Sequence, residues 1–159
     1  MNLIVAVDKN WGIGKNNDLL ISIPEDMKFF KEKTINHSII MGRKTLESFP
    51  NGNPLQNREN IVLTKNEIIN KDVIVFHTVE DILSYVKNKK DVFVIGGGSI
   101  YKQFLPYCNK AYITKINKNF EADIFFPNLD KFFDWEITYQ SEQKKYNDIC
   151  YKFFIYEKK

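Results

Sequence analysis

Asp91-Val92-Phe93-Val94-Ile95-Gly96-Gly97-Gly98-Ser99-Ile100-Tyr101-Lys102-Gln103-Phe104-Leu105-Pro106 joins an unbroken apolar run, three glycines and a helix-competent segment, end to end. A short run that is apolar at every position fits a strand covered on both faces, and such strands belong to parallel sheets between helices. Pro106 then stops the helix that the glycines open. The same order recurs upstream. Leu3-Ile4-Val5-Ala6-Val7 is a second buried run, ended by Asp8-Lys9-Asn10 and followed by a loop carrying Gly12 and Gly14. Ser22-Ile23-Pro24-Glu25 has the spacing of a capping box and predicts a helix from Asp26 onward. Ser38-Ile39-Ile40-Met41 reads as a strand that Gly42-Arg43-Lys44-Thr45 turns into a short helix through Phe49.

Strands are also expected over 60–64 and 73–76, and Thr78 caps a helix in which Val79, Ile82, Leu83 and Val86 recur at helical spacing. From Ala111 the texture changes to aromatic-rich alternating segments, over 111–116, 135–139 and 149–156, which suggest antiparallel strands closing one edge. The expected architecture is one α/β domain over residues 1–159. It is a mostly parallel sheet with helices on both faces and an antiparallel C-terminal edge. Ligands of such sheets bind beyond the carboxyl ends of strands.

Composition narrows the class. With 159 residues, 43% hydrophobic and 27% charged, the chain supports one core. It has no apolar run long enough to span a bilayer, so no membrane association is expected and the location is expected to be cytoplasmic. The net charge of +3 is scattered, which gives nucleic-acid binding no support. Cys108 and Cys150 lack metal-ligand spacing and read as reduced thiols. His37 and His77 have no neighbouring Cys or Asp cluster that would make a zinc site or a triad.

Three features point to a site. Six of the seven glycines follow strands: Gly12 and Gly14, Gly42, and Gly96 to Gly98. Tight turns would explain the first two equally well, but three in a row before a helix fit close approach to a phosphate-bearing ligand. The pattern is not the G-x-G-x-x-G dinucleotide fingerprint. Arg43, Lys44 and Thr45 place two cations and a hydroxyl beside a second strand end, and all but two of the 23 basic residues, Arg43 and Arg58, are Lys. A guanidinium fork suits phosphate or carboxylate. Asp26 sits in a first helical turn on the face of Phe29 and Phe30, so burial would disfavour its charge while a cationic heterocycle would favour it. A simple helix-dipole role for an exposed Asp26 is the competing reading.

Taken in order, Val5-Ala6, Gly12-Ile13-Gly14, Ile23-Pro24-Glu25-Asp26, Met41-Gly42-Arg43-Lys44-Thr45, Ile95-Gly96-Gly97-Gly98 and Phe104-Leu105-Pro106 resemble bacterial dihydrofolate reductase over nearly the whole chain. The resemblance implies a central eight-stranded, mainly parallel sheet. It implies hydride transfer from NADPH to the pterin ring of dihydrofolate, with water-assisted protonation of the adjacent nitrogen. It also implies antifolate inhibitors as ligands, and family and size suggest a monomer.

By that resemblance Asp26 holds the pterin, Ile4, Val5, Ala6 and Ile95 line its slot, and Phe30, Ser48, Phe49 and Leu55 form the walls. Thr114 supports the pterin end through water, and Arg58 grips a glutamate carboxylate. For the cofactor, Ala6 and the loop from Trp11, with Ile13, Gly14, Asn17, Asp18 and Leu19, close over nicotinamide. Gly96, Gly97, Gly98, Ser99, Ile100 and Gln103 receive pyrophosphate, and Tyr101 lies beside the nicotinamide. Gly42, Arg43, Lys44, Thr45, Leu63, Thr64, Lys65 and His77 surround the adenosine end and its 2′-phosphate. The Gly96-Gly97 bond is expected to be cis.

One departure stands out: the family's Pro-Trp is here Leu20-Ile21, and Ile21 brings no N–H donor toward the acid. Two other readings remain: a related NADPH reductase, such as that of riboflavin synthesis, for which Asp26 and Arg58 would lack a purpose, and a non-catalytic nucleotide binder, which would not need the helix acid.

Overall fold

The computed structural model describes residues 1–16 and 18–159. Among these residues the main sheet runs β10-β12-β8-β1-β7-β4-β5-β6. In chain order its strands are β1 (Asn2–Val7), β4 (Ser38–Gly42), β5 (Glu59–Leu63), β6 (Val73–Phe76), β7 (Phe93–Gly96), β8 (Lys110–Ile116), β10 (Trp135–Gln140) and β12 (Ile149–Lys158). Strand β11 (Lys144–Tyr146) adds a short antiparallel hairpin to β12. The pairs from β8 through β6 are parallel, and β12 joins β8 and β10 antiparallel, as the alternating C-terminal segments predict. The helices are α1 (Pro24–Thr34), α2 (Arg43–Ser48), α3 (Val79–Val86) and α4 (Gly98–Phe104).

Strand β1 shows why the central runs are apolar throughout. Leu3, Val5 and Val7 enter the larger core cluster, while Ile4 enters a second cluster that Phe29 and Phe30 of α1 pack against. Successive side chains point to opposite faces, so a strand between two helical layers has no solvent face left for polar residues. Helix α3 begins as expected, with the Thr78 hydroxyl accepting from the Asp81 N–H at 3.1 Å.

The start of α1 differs from expectation. Ile23 is the N-cap and makes no side-chain cap, and Pro24 opens the helix, so the Ser22–Glu25 box does not form. Glu25 instead turns to Tyr151 and Lys144 on the C-terminal hairpin, where a phenol and an ammonium outcompete one backbone N–H. Gly12 and Gly14, expected in a loop, lie in β2 (Gly12–Lys15). This strand forms a small antiparallel sheet with β3 (Asp18–Leu19) and β9 (Ile124–Phe125). Pro106 sits inside a short 3-10 turn that follows α4, so the α-helix has already ended at Phe104.

The sheet is parted where it matters. Strands β1 and β7 pair through Asn2↔Phe93 and Leu3↔Val94, while β1 continues beside β8 as far as Val7↔Lys115. On the other flank the register of β4 against β7 shifts between Ile40 and Met41. Beyond Leu3 the two central strands therefore diverge and leave a crevice at their carboxyl ends. The chain order reverses there too, since β7 returns between β1 and β4. That is the topological position at which open α/β sheets bind ligands.

Candidate active site

Asp26 reaches the crevice from the first turn of α1. Ala6 of β1, Thr114 of β8 and Phe153 of β12 lie side by side in register beneath it. The Thr114 hydroxyl donates to Asp26 Oδ1 at 2.6 Å. Burial pushes the Asp26 carboxyl above its ordinary range, and the Thr114 hydrogen bond opposes that shift without cancelling it. Only Oδ1 has a side-chain partner among the described residues, which leaves Oδ2 able to accept from a ligand. The competing picture, an exposed acid serving the helix dipole, does not describe this carboxyl.

Around the acid the structure collects most of the expected lining. Ile4, with Phe30, Phe49, Leu55 and Ile95 packed against its cluster, forms one wall. Val5 belongs to the cluster on the opposite face of the sheet, where Ile13 and Tyr101 also lie. The Tyr101 phenol is buried and donates to the Ile4 carbonyl at 2.8 Å, bridging α4 to β1 across the divergence. Its pKa is driven upward by burial, with nearby Asp26 adding to the effect, so it remains a neutral donor. Ile21 is half-buried against a patch that includes Ala6, Ile23, Tyr151 and Phe153. Ser48 is exposed, and its hydroxyl donates to the Thr45 carbonyl rather than into the crevice.

The two arginines differ in their surroundings. Arg58 Nε donates to the Gln56 carbonyl and its NH1 to the Thr34 hydroxyl, both at 3.1 Å. Thr34 in turn donates to the Phe30 carbonyl, which fixes the guanidinium against the end of α1. No carboxylate lies within ion-pair distance of Arg58 among the described residues, so its charge is uncompensated. It borders a hollow of about 350 Å³ with Lys31, Pro50, Leu55 and Asn57. Arg43, by contrast, gives NH1 to both carboxylate oxygens of Glu47, at 2.8 and 2.7 Å.

On the other side of β7, Gly96 has φ +123, the Gly96-Gly97 bond is cis as expected, and Gly98 opens α4. The glycines answer to two different constraints. A Cβ on Gly98 would meet Ile124 Cγ2 at 2.6 Å, whereas one on Gly97 would meet nothing closer than Thr45 Oγ1 at 3.8 Å. Neither Gly42 before α2 nor Gly97 before α4 supplies a side-chain cap, so the first N–H groups of two neighbouring helices have no side-chain acceptor. Such a donor set suits a pyrophosphate. Ser99 accepts from Gln103 at 3.0 Å one turn along α4, and Ile100 packs beneath Gly42.

Leu63 and Thr64 stand at the carboxyl end of β5 beside Lys65. His77 Nδ1 lies 2.7 Å from the Thr64 carbonyl, and its Nε2 lies 3.4 Å from Glu67. Lys44 and Lys65 are exposed nearby, as are Asp18 and Leu19 across the crevice. Asn17, expected beside the cofactor, lies outside the described residues.

Some site residues were not evident from the sequence. Tyr151, buried on β12, donates to Glu25 Oε2 at 2.6 Å, and Lys144 of β11 lies 3.1 Å from Glu25 Oε1. This clasp fixes the first turn of α1, and hence Asp26, to the C-terminal hairpin. Burial and the Glu25 carboxylate push the Tyr151 phenol up to about 12. Asp8 binds the turn after β1 by accepting from the N–H groups of Asn10 and Gly12, both at 2.8 Å, and from Phe120 at 3.2 Å. The local signal for Asp8 was present, since an acid two and four residues before free amides makes a turn.

Comparison with known proteins gives one answer. The profile of the family "Dihydrofolate reductase" matches residues 1–158. The dihydrofolate reductase of Staphylococcus haemolyticus is 42% identical over 161 residues, covering 99% of this chain and 95% of that protein. That of Bacillus subtilis (strain 168) is 40% identical over 164 residues, covering 100% and 95%. Among solved structures, the enzyme from Enterococcus faecalis in complex with NADP(H) and RAB-propyl superposes with a TM-score of 0.88 at 36% identity, covering 99% and 95%.

Proposed function

The chain belongs to the dihydrofolate reductase family, and we infer from its own residues how it carries out the NADPH-dependent reduction of 7,8-dihydrofolate to 5,6,7,8-tetrahydrofolate. Bound NADPH supplies the hydride. The protein's part is to hold the pterin, favour its protonation and keep the two rings together away from water.

Asp26 is the group that orients the pterin. Its Oδ2 accepts from the ring N–H and amino group, while Thr114 fixes Oδ1. Because burial disfavours its unpaired charge, the Asp26 carboxylate is relieved by a pterin that carries a positive charge and so favours protonation of the ring nitrogen, the proton itself arriving from water. Protonating that nitrogen makes the neighbouring carbon a better hydride acceptor. The observation that carries the reading is the half-buried Asp26–Thr114 pair at the divergence of β1 and β7. Arg58, whose charge no carboxylate among the described residues neutralises, holds the glutamate carboxylate at the far end of the same wall.

The cofactor lies on the Tyr101 side. The uncapped starts of α2 and α4 receive pyrophosphate, Ala6, Ile13 and Gly14 flank the nicotinamide, and Arg43, Thr64, Lys65 and His77 surround the 2′-phosphate. Antifolates that present a protonated heterocycle use the same Asp26 oxygen. The test is absorbance at 340 nm with NADPH, with and without dihydrofolate. Substrate-dependent decay that falls by about a hundredfold or more in Asp26→Asn is expected. Undiminished decay in that variant would show that another group favours protonation of the pterin.

A further inference from the structure

We propose that Glu47 sets the margin by which this enzyme prefers NADPH over NADH, because it holds Arg43 as a neutral pair that the 2′-phosphate must share. The proposal rests on the reading that Arg43 meets that phosphate.

Arg43 and Glu47 are one turn apart on α2, so their side chains lie on the same face. A single nitrogen, NH1, bonds both carboxylate oxygens, at 2.8 and 2.7 Å, and Nε and NH2 have no protein partner among the described residues. The guanidinium is therefore held by one corner with its remaining donors turned away from the carboxylate, but its charge is already balanced. The Arg43 side chain is 37% exposed and that of Glu47 56%, so the pair can admit a third group without unfolding anything.

A 2′-phosphate arriving here meets a cation and an anion together. It gains the unused hydrogen-bond donors, but Glu47 keeps NH1 and its share of the guanidinium charge, so only part of Arg43's attraction is left to the phosphate. Arg58 shows the other arrangement in the same molecule, its guanidinium positioned by a backbone carbonyl and a hydroxyl and left charged for its ligand. The adenosine end repeats the Arg43 pattern at His77, whose second ring nitrogen faces Glu67. Lys44 and Lys65 have no carboxylate within ion-pair distance among the described residues, so they supply attraction that Glu47 does not temper.

Glu47→Gln separates charge from position, because the amide oxygen can still accept from NH1 while the negative charge is gone. Dissociation constants for NADPH and NADH are measured by fluorescence titration on the whole protein, with adenosine 2′,5′-bisphosphate and AMP as probes of the adenosine end alone. In Glu47→Gln, NADPH and the bisphosphate should bind about two- to fivefold more tightly, with NADH and AMP moving by less than about twofold. Arg43→Ala should weaken NADPH selectively, and adding Glu47→Gln to it should recover little.

An unchanged or lowered NADPH-to-NADH ratio in Glu47→Gln, with Arg43→Ala still selective, would overturn the proposal and leave the placement of Arg43 standing. The same gain with and without Arg43 would also overturn it, since the carboxylate would then act on the phosphate alone. Equal losses for both cofactors in Arg43→Ala would remove the placement itself, and the proposal with it.

Discussion

Asp26 carries its chemistry at a cost to the fold, and pH exposes that cost. In the unfolded chain the carboxyl titrates near the ordinary Asp value of 3.8, while burial raises it in the native protein. Between those two values the native state binds more protons than the unfolded one, so this group's contribution to stability falls as pH rises through that window and stays low above it. Asp26→Asn keeps an oxygen for the Thr114 hydroxyl and removes the buried charge. The variant is expected to melt at a higher temperature than the parent at pH 7, and the gain should vanish as pH falls below the ordinary Asp range. A melting difference independent of pH would mean the carboxylate is not penalised by burial. The same substitution is expected to remove activity, so stability and turnover should move in opposite directions.

Ile21 is the residue-scale counterpart, a missing donor rather than an uncomfortable charge. Its place beside Ala6, Tyr151 and Phe153 borders the acid's surroundings. Ile21→Trp would supply one indole N–H to hold the water that serves Asp26, and one positioned hydrogen bond corresponds to an increase of about two- to tenfold in the pre-steady-state hydride rate or in antifolate affinity. Rates and binding constants identical to the parent's would show that the water is ordered without it. Asp26 and the arginines were legible in the sequence because an acid in a first turn beside phenylalanines, and two Arg among many Lys, are local facts. The Glu25–Tyr151 bond spans 126 residues and overrides a plausible capping box, and no local pattern reports it.

At the scale of elements, the junction of α4 with the small β2–β3–β9 sheet is the tightest constraint on the cofactor side. Triple glycine was readable as a phosphate turn, but Gly98 is needed for another reason, the closeness of Ile124 on β9. Since β9 pairs with β2, any shift forced on Ile124 is passed to Gly12–Lys15, the segment we assign to the nicotinamide. Gly98→Ala should therefore lower stability by about 1–3 kcal/mol through overpacking and weaken NADPH binding. Ile124→Ala removes the methyl that the new Cβ would strike, so the double variant should recover much of the affinity that Gly98→Ala loses. A double-mutant cycle measures this directly. Strictly additive losses would mean that Gly98 matters to the ligand and not to β9. The small sheet was missed in the sequence because its strands are very short, β3 being two residues long, and because β9 lies more than a hundred positions from β2, so the loop reading of Gly12 and Gly14 had no local contradiction.

For the whole molecule the decisive feature is the opening between β1 and β7, and strand order alone could not reveal it: both strands read as ordinary buried runs, and their divergence after Leu3 and Val94 depends on register. The residues assigned to NADPH come from both sides, Ala6, Ile13 and Gly14 on one, and Gly42–Thr45 with Gly96–Gln103 on the other. A ligand that binds the native state alone stabilises it by about 2.7 kcal/mol at a hundred times its Kd. For a domain of this size that raises the melting temperature by about 5–11 °C. Mass action gives the same gain for any ligand at the same saturation, so melting alone cannot say whether the opening is spanned. Amide exchange can. NADPH should slow exchange on both sides, including residues 4–7 and 12–15, whereas adenosine 2′,5′-bisphosphate at equal saturation should protect only the β4, β5 and β7 side, because it lacks the part that crosses. Equal protection of residues 12–15 by the fragment would show that the two sides are coupled through the sheet rather than joined by the ligand.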